Sequence, residues 1–403
     1  MPTDSLRQLE KLMVDLHRQF VQGLRESPEA DRLRDEMEPL ELQLGEDERR
    51  LFGELSEDLY EIEGERHVVP APNGVDLESA VMAAFNAGSH RRVLELLRAD
   101  TSPVSRDRRS YVQGRCWEQM GFPLTASLFF ANAYLHSPRA VYQATELTAL
   151  AQAGELEDLC RRVDAIEAQP DSSPIVLQQA AVVLFQMTRT RPKLERPALY
   201  RRVIGLAERG DGDPAPLGNQ RVATLIAAGF SYGNLDDHVQ ARRLLDQAVA
   251  TGEYPEAYAA RGVARLREDR AGALADFRRA VELRSQSVLP YFHLAHDALQ
   301  RGGFSQLLGL CQEARSVAPP GHWRGRMYEW EAIARAELNE PRVRVEALFS
   351  LAFSEAPLDP AIRENADRYA SRQVTAKPWT VPPEEPPGFE SLDGVSAQDP
   401  IAA

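Results

Sequence analysis

Residues 110–138 read SYVQGRCWEQMGFPLTASLFFANAYLHSP, and this stretch decides the fold. Small and apolar residues recur three or four positions apart on both sides of Gly121, which predicts two helices joined by a tight turn. The recurring positions are Gly114, Trp117, Ala126, Phe130 and Ala133. Two antiparallel helices can approach closely where one of them carries glycine, and an aromatic ring then fills the space between them. Proline cannot continue a helix, so Pro138 marks the end of the second one.

The same arrangement recurs along the chain at a nearly constant spacing. The positions equivalent to the small residue of the first helix are Val81, Gly114, Leu147, Ala180, Gly229, Gly262, Ala295 and Ala332. Five of the seven steps between them are 33 residues, one is 37 and one is 49. The long step contains two irregular stretches, residues 189–195 and 210–217. A ladder this regular indicates an internal repeat of one helix pair.

This repeat resembles the tetratricopeptide repeat family, whose pattern runs over about 34 residues from an aromatic and a small residue to alanine, an aromatic and proline. The resemblance covers about residues 76–357, or about eight helix pairs. It implies an all-α fold in which antiparallel pairs stack into a right-handed superhelical solenoid. Periodic strand patterns are absent from the sequence, in agreement with that fold class.

Residues 1–66 do not match the repeat, but they carry two apolar stripes at helical spacing. The stripes are Leu9, Met13, Leu16 and Phe20, and then Leu51, Phe52, Leu55, Leu59 and Ile62. Ser27-Pro28 between them is typical of a helix start. We predict acidic amphipathic helices that either cap the first repeat or pair with a second copy in a homo-oligomer. A linker with Pro70, Pro72, Asn73 and Gly74 follows.

After the last repeat, Asp359-Pro360 predicts the start of a capping helix within residues 358–374. Residues 376–403 are rich in proline and acidic residues and have no periodicity, which is typical of a disordered tail. Three bulky apolar residues interrupt this tail: Trp379, Phe389 and Leu392. A segment from Trp379 to Leu392 could therefore lie in its own chain's peptide-binding groove, which the resemblance to the repeat family implies and which is described below.

The charge of the 403-residue chain is concentrated at its ends. The formal net charge is −14, with 9 basic against 19 acidic residues in 1–70 and 1 against 5 in 376–403. The repeats are close to neutral, so they offer no basic surface for nucleic acid or an anionic membrane. The sequence shows neither a signal peptide nor a long apolar run, and Cys116, Cys160 and Cys311 have no metal-like spacing. We expect free thiols, buried in apolar helical patterns, in a cytoplasmic protein.

Candidate chemical groups are few, and each has a simpler structural interpretation. His293 and His296 share a helix face, but a third metal ligand is not evident. Asp211-Gly212-Asp213 lacks the remaining ligands of a calcium loop, and Asp236-Asp237-His238 falls where a helix cap is expected. Because none of the common catalytic or cofactor-binding motifs is present, we expect no enzyme activity, no cofactor and no metal.

The resemblance further implies a peptide-binding groove lined by the first helix of each pair. Carried over position by position, the groove residues are Leu177, Phe185, Ile226, Phe230, Asn234, Val263, Arg267, Phe292, His296 and Ile333. Most are apolar, and the basic cluster with which some family members hold a C-terminal carboxylate is not visible. The ligand is therefore expected to be an apolar peptide or an amphipathic helix of another protein. The alternative that these residues belong to the core stays open.

These observations predict a non-catalytic scaffold or adaptor for protein–protein interaction. One alternative is a regulatory protein that senses a peptide, with the 49-residue step as its hinge. A minor alternative is a divergent metal protein or enzyme that uses His293 and His296. Neither nucleic acid nor a membrane is expected as a partner.

Overall fold

The computed structural model describes residues 2–62, 77–98, 104–188, 190–211, 218–371 and 379–380. These residues form twenty α-helices and no strand, which confirms the predicted all-α class. The helices are α1 (Asp4–Val21), α2 (Pro28–Glu41), α3 (Glu46–Ile62), α4 (Leu77–Asn86), α5 (His90–Leu97), α6 (Arg106–Gln119), α7 (Pro123–His136), α8 (Ala140–Ala153), α9 (Leu156–Glu167), α10 (Pro174–Thr188), α11 (Arg196–Gly210), α12 (Gly218–Asn234), α13 (His238–Thr251), α14 (Pro255–Arg265), α15 (Arg270–Glu282), α16 (Val288–Gln300), α17 (Phe304–Ala314), α18 (His322–Glu337), α19 (Arg342–Glu355) and α20 (Pro360–Ala370). The predicted linker and the predicted tail, except Trp379 and Thr380, lie outside the described residues.

The chain divides into two compact units, and the division falls within the long step of the ladder. One unit holds Met1–Met187 and the short segment that begins at Arg209, and the other holds Thr188–Glu208 and the chain from Pro214. Within them, consecutive helices pack as pairs: α4 with α5, α6 with α7, α8 with α9, α12 with α13, α14 with α15, α16 with α17 and α18 with α19. Short loops make paired neighbours antiparallel.

Two glycines of the ladder lie where paired helices pack closely against each other. A Cβ atom added to Gly114 would lie 2.6 Å from the Phe130 ring, and one added to Gly262 would lie 2.6 Å from the Phe277 ring. No real Cβ tolerates such a contact, so each ring occupies the space that the glycine leaves. Glycine and aromatic ring therefore form the interlocking pair that the repeat pattern predicts.

Several helix ends are fixed by the residues that mark them in the sequence. The side chains of Ser27, Asp237 and Asp359 accept hydrogen bonds from the first turns of α2, α13 and α20. These bonds satisfy backbone N–H groups that have no partner inside the helix. At the turn after α6, Gly121 has a φ of 91°, a conformation that glycine adopts without strain.

The N-terminal helices dock on the first repeats through a buried carboxylate. Asp58 of α3 is 1% exposed and accepts hydrogen bonds from Arg98 at 2.7 Å and from the indole N–H of Trp117 at 3.0 Å. Nearby, Glu61 accepts a hydrogen bond from Gln113 at 2.7 Å. These contacts place α3 against the end of α5 and the length of α6.

Helix α1 docks in the same unit through its own charged side chains. Glu10 is 5% exposed and accepts a hydrogen bond from the backbone N–H of Thr125 at 2.8 Å, in the first turn of α7. Lys11 bonds Glu155 at 2.8 Å, and Arg18 forms an ion pair with Asp158 in the first turn of α9. A carboxylate at a helix N-terminus is favourable because the free N–H groups and the helix dipole are positive there.

The apolar stripes of residues 1–66 are consequently covered by this chain. Leu9, Leu16, Phe52, Leu55 and Leu59 are buried in one core cluster with residues of α5, α6 and α7. Pairing with a second copy would therefore need a surface other than these buried residues. A homo-oligomer through residues 1–66 stays a prediction.

Burial of Glu10 makes the stability of this docking depend on pH. Burial raises the pKa of Glu10 from 4.5 to about 7, opposed by the hydrogen bond from Thr125. The folded chain then holds a proton that the unfolded chain releases, so stability falls as pH rises from about 4.5 to about 7. Between pH 5 and pH 8, we expect the wild type to lose about 1–3 kcal/mol more than Glu10→Gln in urea unfolding. The exposed control, Glu38→Gln, should follow the wild type, and identical slopes in all three would contradict the prediction.

Candidate peptide-binding site

The structure buries most of the residues predicted to line the groove. Seven of the ten are at most 7% exposed: Leu177, Phe185, Ile226, Phe230, Val263, His296 and Ile333. Asn234 and Phe292 are half-buried, and Arg267 is exposed. The seven buried side chains form part of the core. Their role in binding a peptide stays a prediction, and the alternative that they are core residues describes their burial better.

The two histidines considered as metal ligands pack among aromatic rings. The His293 ring stacks on Phe277 with centroids 4.9 Å apart, and the His296 ring stacks on Phe292 at 6.3 Å. Trp330 lies 4.9 Å from Phe292. Across the parts of the chain that the structure describes, no three His, Cys, Asp or Glu side chains gather as metal ligands would.

The face of α18 that carries Glu329, Ile333 and Glu337 forms the candidate site. These residues are four apart, so they lie in a row along one side of the helix. Helix α20 packs beside α18 and contributes Asn365, which is fully buried. The amide nitrogen of Asn365 donates a hydrogen bond to Glu329 at 2.7 Å. We call Glu329, Ile333, Glu337 and Asn365 the Asn365 site.

The Asn365 site holds a segment of its own chain by the backbone. The N–H of Thr380 donates to Oδ1 of Asn365 at 2.9 Å, and Nδ2 of Asn365 donates to the Thr380 carbonyl at 2.9 Å. Both polar backbone groups of one residue are therefore paired with one side-chain amide. Main-chain recognition of this kind is independent of the side chain of the bound residue.

The neighbouring residue, Trp379, adds a contact that depends on its side chain. Its indole N–H donates to Oε1 of Glu337 at 2.7 Å, and its ring lies 6.3 Å from the Phe349 ring. Phe349 in turn contacts Tyr369 at 5.8 Å. Trp379 also packs on the core cluster that contains Ile333. The site thus combines an apolar floor with a hydrogen-bond acceptor at one end.

The charge of the site favours ligand N–H groups over ligand carboxylates. Burial raises the pKa of Glu329 to about 7, while Arg326 opposes this shift. Arg326 is 3% exposed and forms ion pairs with both Glu329 and Asp359. Its positive charge is therefore balanced within the protein and does not attract a ligand carboxylate. The acceptors that face the bound segment are Glu337 and Asn365. This agrees with the sequence, which shows no basic cluster for a terminal carboxylate.

The sequence predictions include some residues of this candidate site and leave out the others. Ile333 is among the predicted groove residues, and Trp379 begins the segment expected to occupy the groove. Glu329 and Glu337 lie four residues before and after Ile333 on the same side of α18. This spacing is the signal in the sequence that could have identified them. Asn365 was missed because α20 reads as a polar cap, and nothing local indicates that one of its amides is buried.

The cysteines are free, and two of the three are buried. Burial raises the pKa of the Cys116 thiol to about 12, and burial also raises the pKa of the Cys311 thiol. Both therefore stay protonated near neutral pH and are poor nucleophiles. Cys160 is only half-buried, which corrects the expectation that all three lie in the core. In the described helices, no segment has both the length and the apolar character needed to span a membrane.

No protein-family model and no curated protein matches this sequence. Three solved structures are similar to this chain, and two of them are tetratricopeptide repeat proteins by name. A tetratricopeptide repeat protein from Parabacteroides merdae is 12% identical, with 66% of this chain and 99% of that chain covered and a TM-score of 0.39. The C-terminal part of a repeat protein from Cytophaga hutchinsonii is 9% identical (72% and 98% covered, TM-score 0.38), and yeast Tom70 is 14% identical (74% of each, TM-score 0.34). With scores this low, the assignment of the fold rests on the helix pairs themselves.

Proposed function

We propose that this protein is a non-catalytic scaffold that binds a peptide segment of another protein on the face formed by α18 and α20. The observation that carries the proposal is the capture of Trp379 and Thr380 by the Asn365 site. A surface that pairs with the backbone of one extended segment has the chemistry to pair with another. Neither nucleic acid nor a membrane surface is part of the proposal.

The geometry favours an extended peptide over the amphipathic helix that the sequence also allowed. In a helix the backbone N–H and C=O groups are already paired with each other. Asn365 could not then form both of the hydrogen bonds that it forms with Thr380. The apolar part of the expected ligand corresponds to the Trp379 ring on the cluster around Ile333.

A second candidate is the peptide-sensing regulator, and one observation favours it. The division between the two compact units falls in the 49-residue step that the sequence suggested as a hinge. A regulator of this kind would change its dimensions when a peptide binds. Small-angle scattering of the full chain with and without bound peptide separates the candidates, since identical profiles would leave only the scaffold.

Site-directed photo-crosslinking in cells tests the proposed function. A photoreactive phenylalanine replaces Leu338, which is 39% exposed and follows Glu337 at the end of α18. The matched control carries it at Val239, which is 78% exposed on α13. We expect another protein to be crosslinked from position 338 and not from 239, and more strongly when Trp379→Ala and Thr380→Pro together empty the site. Equal crosslinking from both positions, or none from 338, would contradict the proposal.

A further inference from the structure

The Asn365 carboxamide matches one particular backbone conformation. The N–H and C=O groups of a single residue point to the same side only when that residue is extended, as in a β-strand. A side-chain amide presents one acceptor and two donors. Asn365 uses all three, because Nδ2 bonds both Glu329 and Thr380 while Oδ1 accepts from Thr380. It acts as a short neighbouring strand, and proline at the position of Thr380 would lack the required N–H.

The orientation of this carboxamide is set by a buried polar network. Asn365 and Glu329 are fully buried, and Arg326 joins Glu329 to Asp359, the residue that caps α20. Buried polar groups of this kind are costly unless all of them are paired. Without a bound backbone, Oδ1 and one amide hydrogen of Asn365 would lose their partners. The network therefore prepares the site for an extended residue.

The other half of the site is selective for an indole. Glu337 is exposed and accepts a hydrogen bond from the Trp379 indole N–H. Phenylalanine has no donor to place there, and the tyrosine hydroxyl lies at the far end of a different ring. Trp379 and Thr380 are themselves only half-buried, so a competing peptide can reach the segment they occupy.

We infer that the Asn365 site recognises an extended peptide in which tryptophan precedes a residue with a free backbone N–H, and that Trp379-Thr380 is a resident competitor for this site. This inference rests on the proposed function and adds the class of ligand and its regulation. A partner peptide must displace the chain's own segment, so the unoccupied site is the active form. While the internal segment occupies the site, that chain cannot bind another ligand. The apparent affinity for every ligand is therefore reduced in proportion to the fraction of chains in which the site is occupied.

The inference is tested with a fluorescein-labelled peptide of residues 376–382, AKPWTVP, and the full chain. The substitutions Trp379→Ala and Thr380→Pro together release the resident segment and give the opened chain. In fluorescence anisotropy we expect the opened chain to bind this probe about tenfold or more tightly than the wild type. Probes with phenylalanine in place of tryptophan, or proline in place of threonine, should bind at least about tenfold more weakly.

A second substitution in the opened chain separates recognition from folding. Glu337→Ala removes an exposed acceptor, so the fold should not change, and Glu313→Ala is the matched exposed control on α17. We expect Glu337→Ala to weaken the tryptophan probe by about tenfold and to leave the phenylalanine probe unchanged. Glu313→Ala should alter neither. A merely structural role of Glu337 would weaken both probes alike.

Four results would overturn the inference. Equal affinity of the tryptophan and phenylalanine probes would contradict selectivity for an indole. Equal affinity of the wild-type and opened chains for the tryptophan probe would contradict competition by Trp379-Thr380. A wild-type dimer that becomes monomeric in the opened chain, measured by light scattering, would show that the segment occupies the site of a second copy. If position 338 still crosslinks another protein while the probes fail, only this inference falls, and the scaffold stands.

Discussion

Replacing Asp58 with alanine is expected to lower the free energy of unfolding by about 3–5 kcal/mol. Asp58 is 1% exposed and is the acceptor for both Arg98 and the Trp117 indole. Its removal leaves Nε of the part-buried Arg98 and the buried N–H of Trp117 without their acceptor, and both groups were taken out of water to meet it. Urea unfolding followed by far-ultraviolet circular dichroism measures the change.

Two further substitutions on α3 show whether the loss arises from this contact. Glu57→Ala removes an exposed carboxylate one position away and should cost at most about 0.5 kcal/mol. Asp58→Asn keeps an acceptor for Trp117 but loses the charge opposite Arg98, so its cost should lie between the two. If Asp58→Ala behaved like Glu57→Ala, the N-terminal helices would not be docked through this carboxylate.

Placing a charge at Phe230 is expected to have an effect of similar size. Phe230 is fully buried in α12, although the sequence predicted it in an accessible groove. Phe230→Glu would remove a packed ring and bury a carboxylate, so we expect the free energy of unfolding to fall by more than about 4 kcal/mol. Thermal and urea unfolding followed by circular dichroism measure this loss.

Arg267→Glu is the matched comparison for Phe230→Glu, because Arg267 was predicted in the same groove and is exposed. We expect Arg267→Glu to change the stability by no more than about 0.5 kcal/mol. If the Phe230→Glu chain melted at the wild-type temperature, this position would be accessible to solvent. Phe230 would then fit the predicted groove. The two results together test whether Phe230 belongs to the core while Arg267 lies on the surface.

The helices and their pairing could be predicted from sequence because they depend on local signals. Gly114 and Gly262 are small where an aromatic ring must fit, and the ring follows within the same pair, at Phe130 and Phe277. Helix starts such as Asp359-Pro360 are equally local, since a cap acts on the next three residues. These signals recur at steps of 33 residues, and this recurrence is sufficient to predict the fold class.

The direction in which each helix faces could not be predicted in the same way. In α12, Ile226 and Phe230 lie on one side of the helix and Leu225 lies on another, yet all three are buried. The first helix of a pair packs against its own partner and against the helices of neighbouring pairs, as α12 does with α13 and α14. An apolar pattern that surrounds the helix cannot distinguish a groove from a core.

The sequence by itself determined the all-α class, the spacing of the helix pairs and many of their ends, because these follow from contacts between residues close along the chain. The tertiary structure alone decided that Asp58 meets Trp117, 59 positions away, and that Asn365 meets Thr380. Such contacts join polar residues that look exposed in any local pattern. Their partners are set by how whole helices pack, since burial becomes favourable for a polar group only when its hydrogen-bonding partner is buried with it.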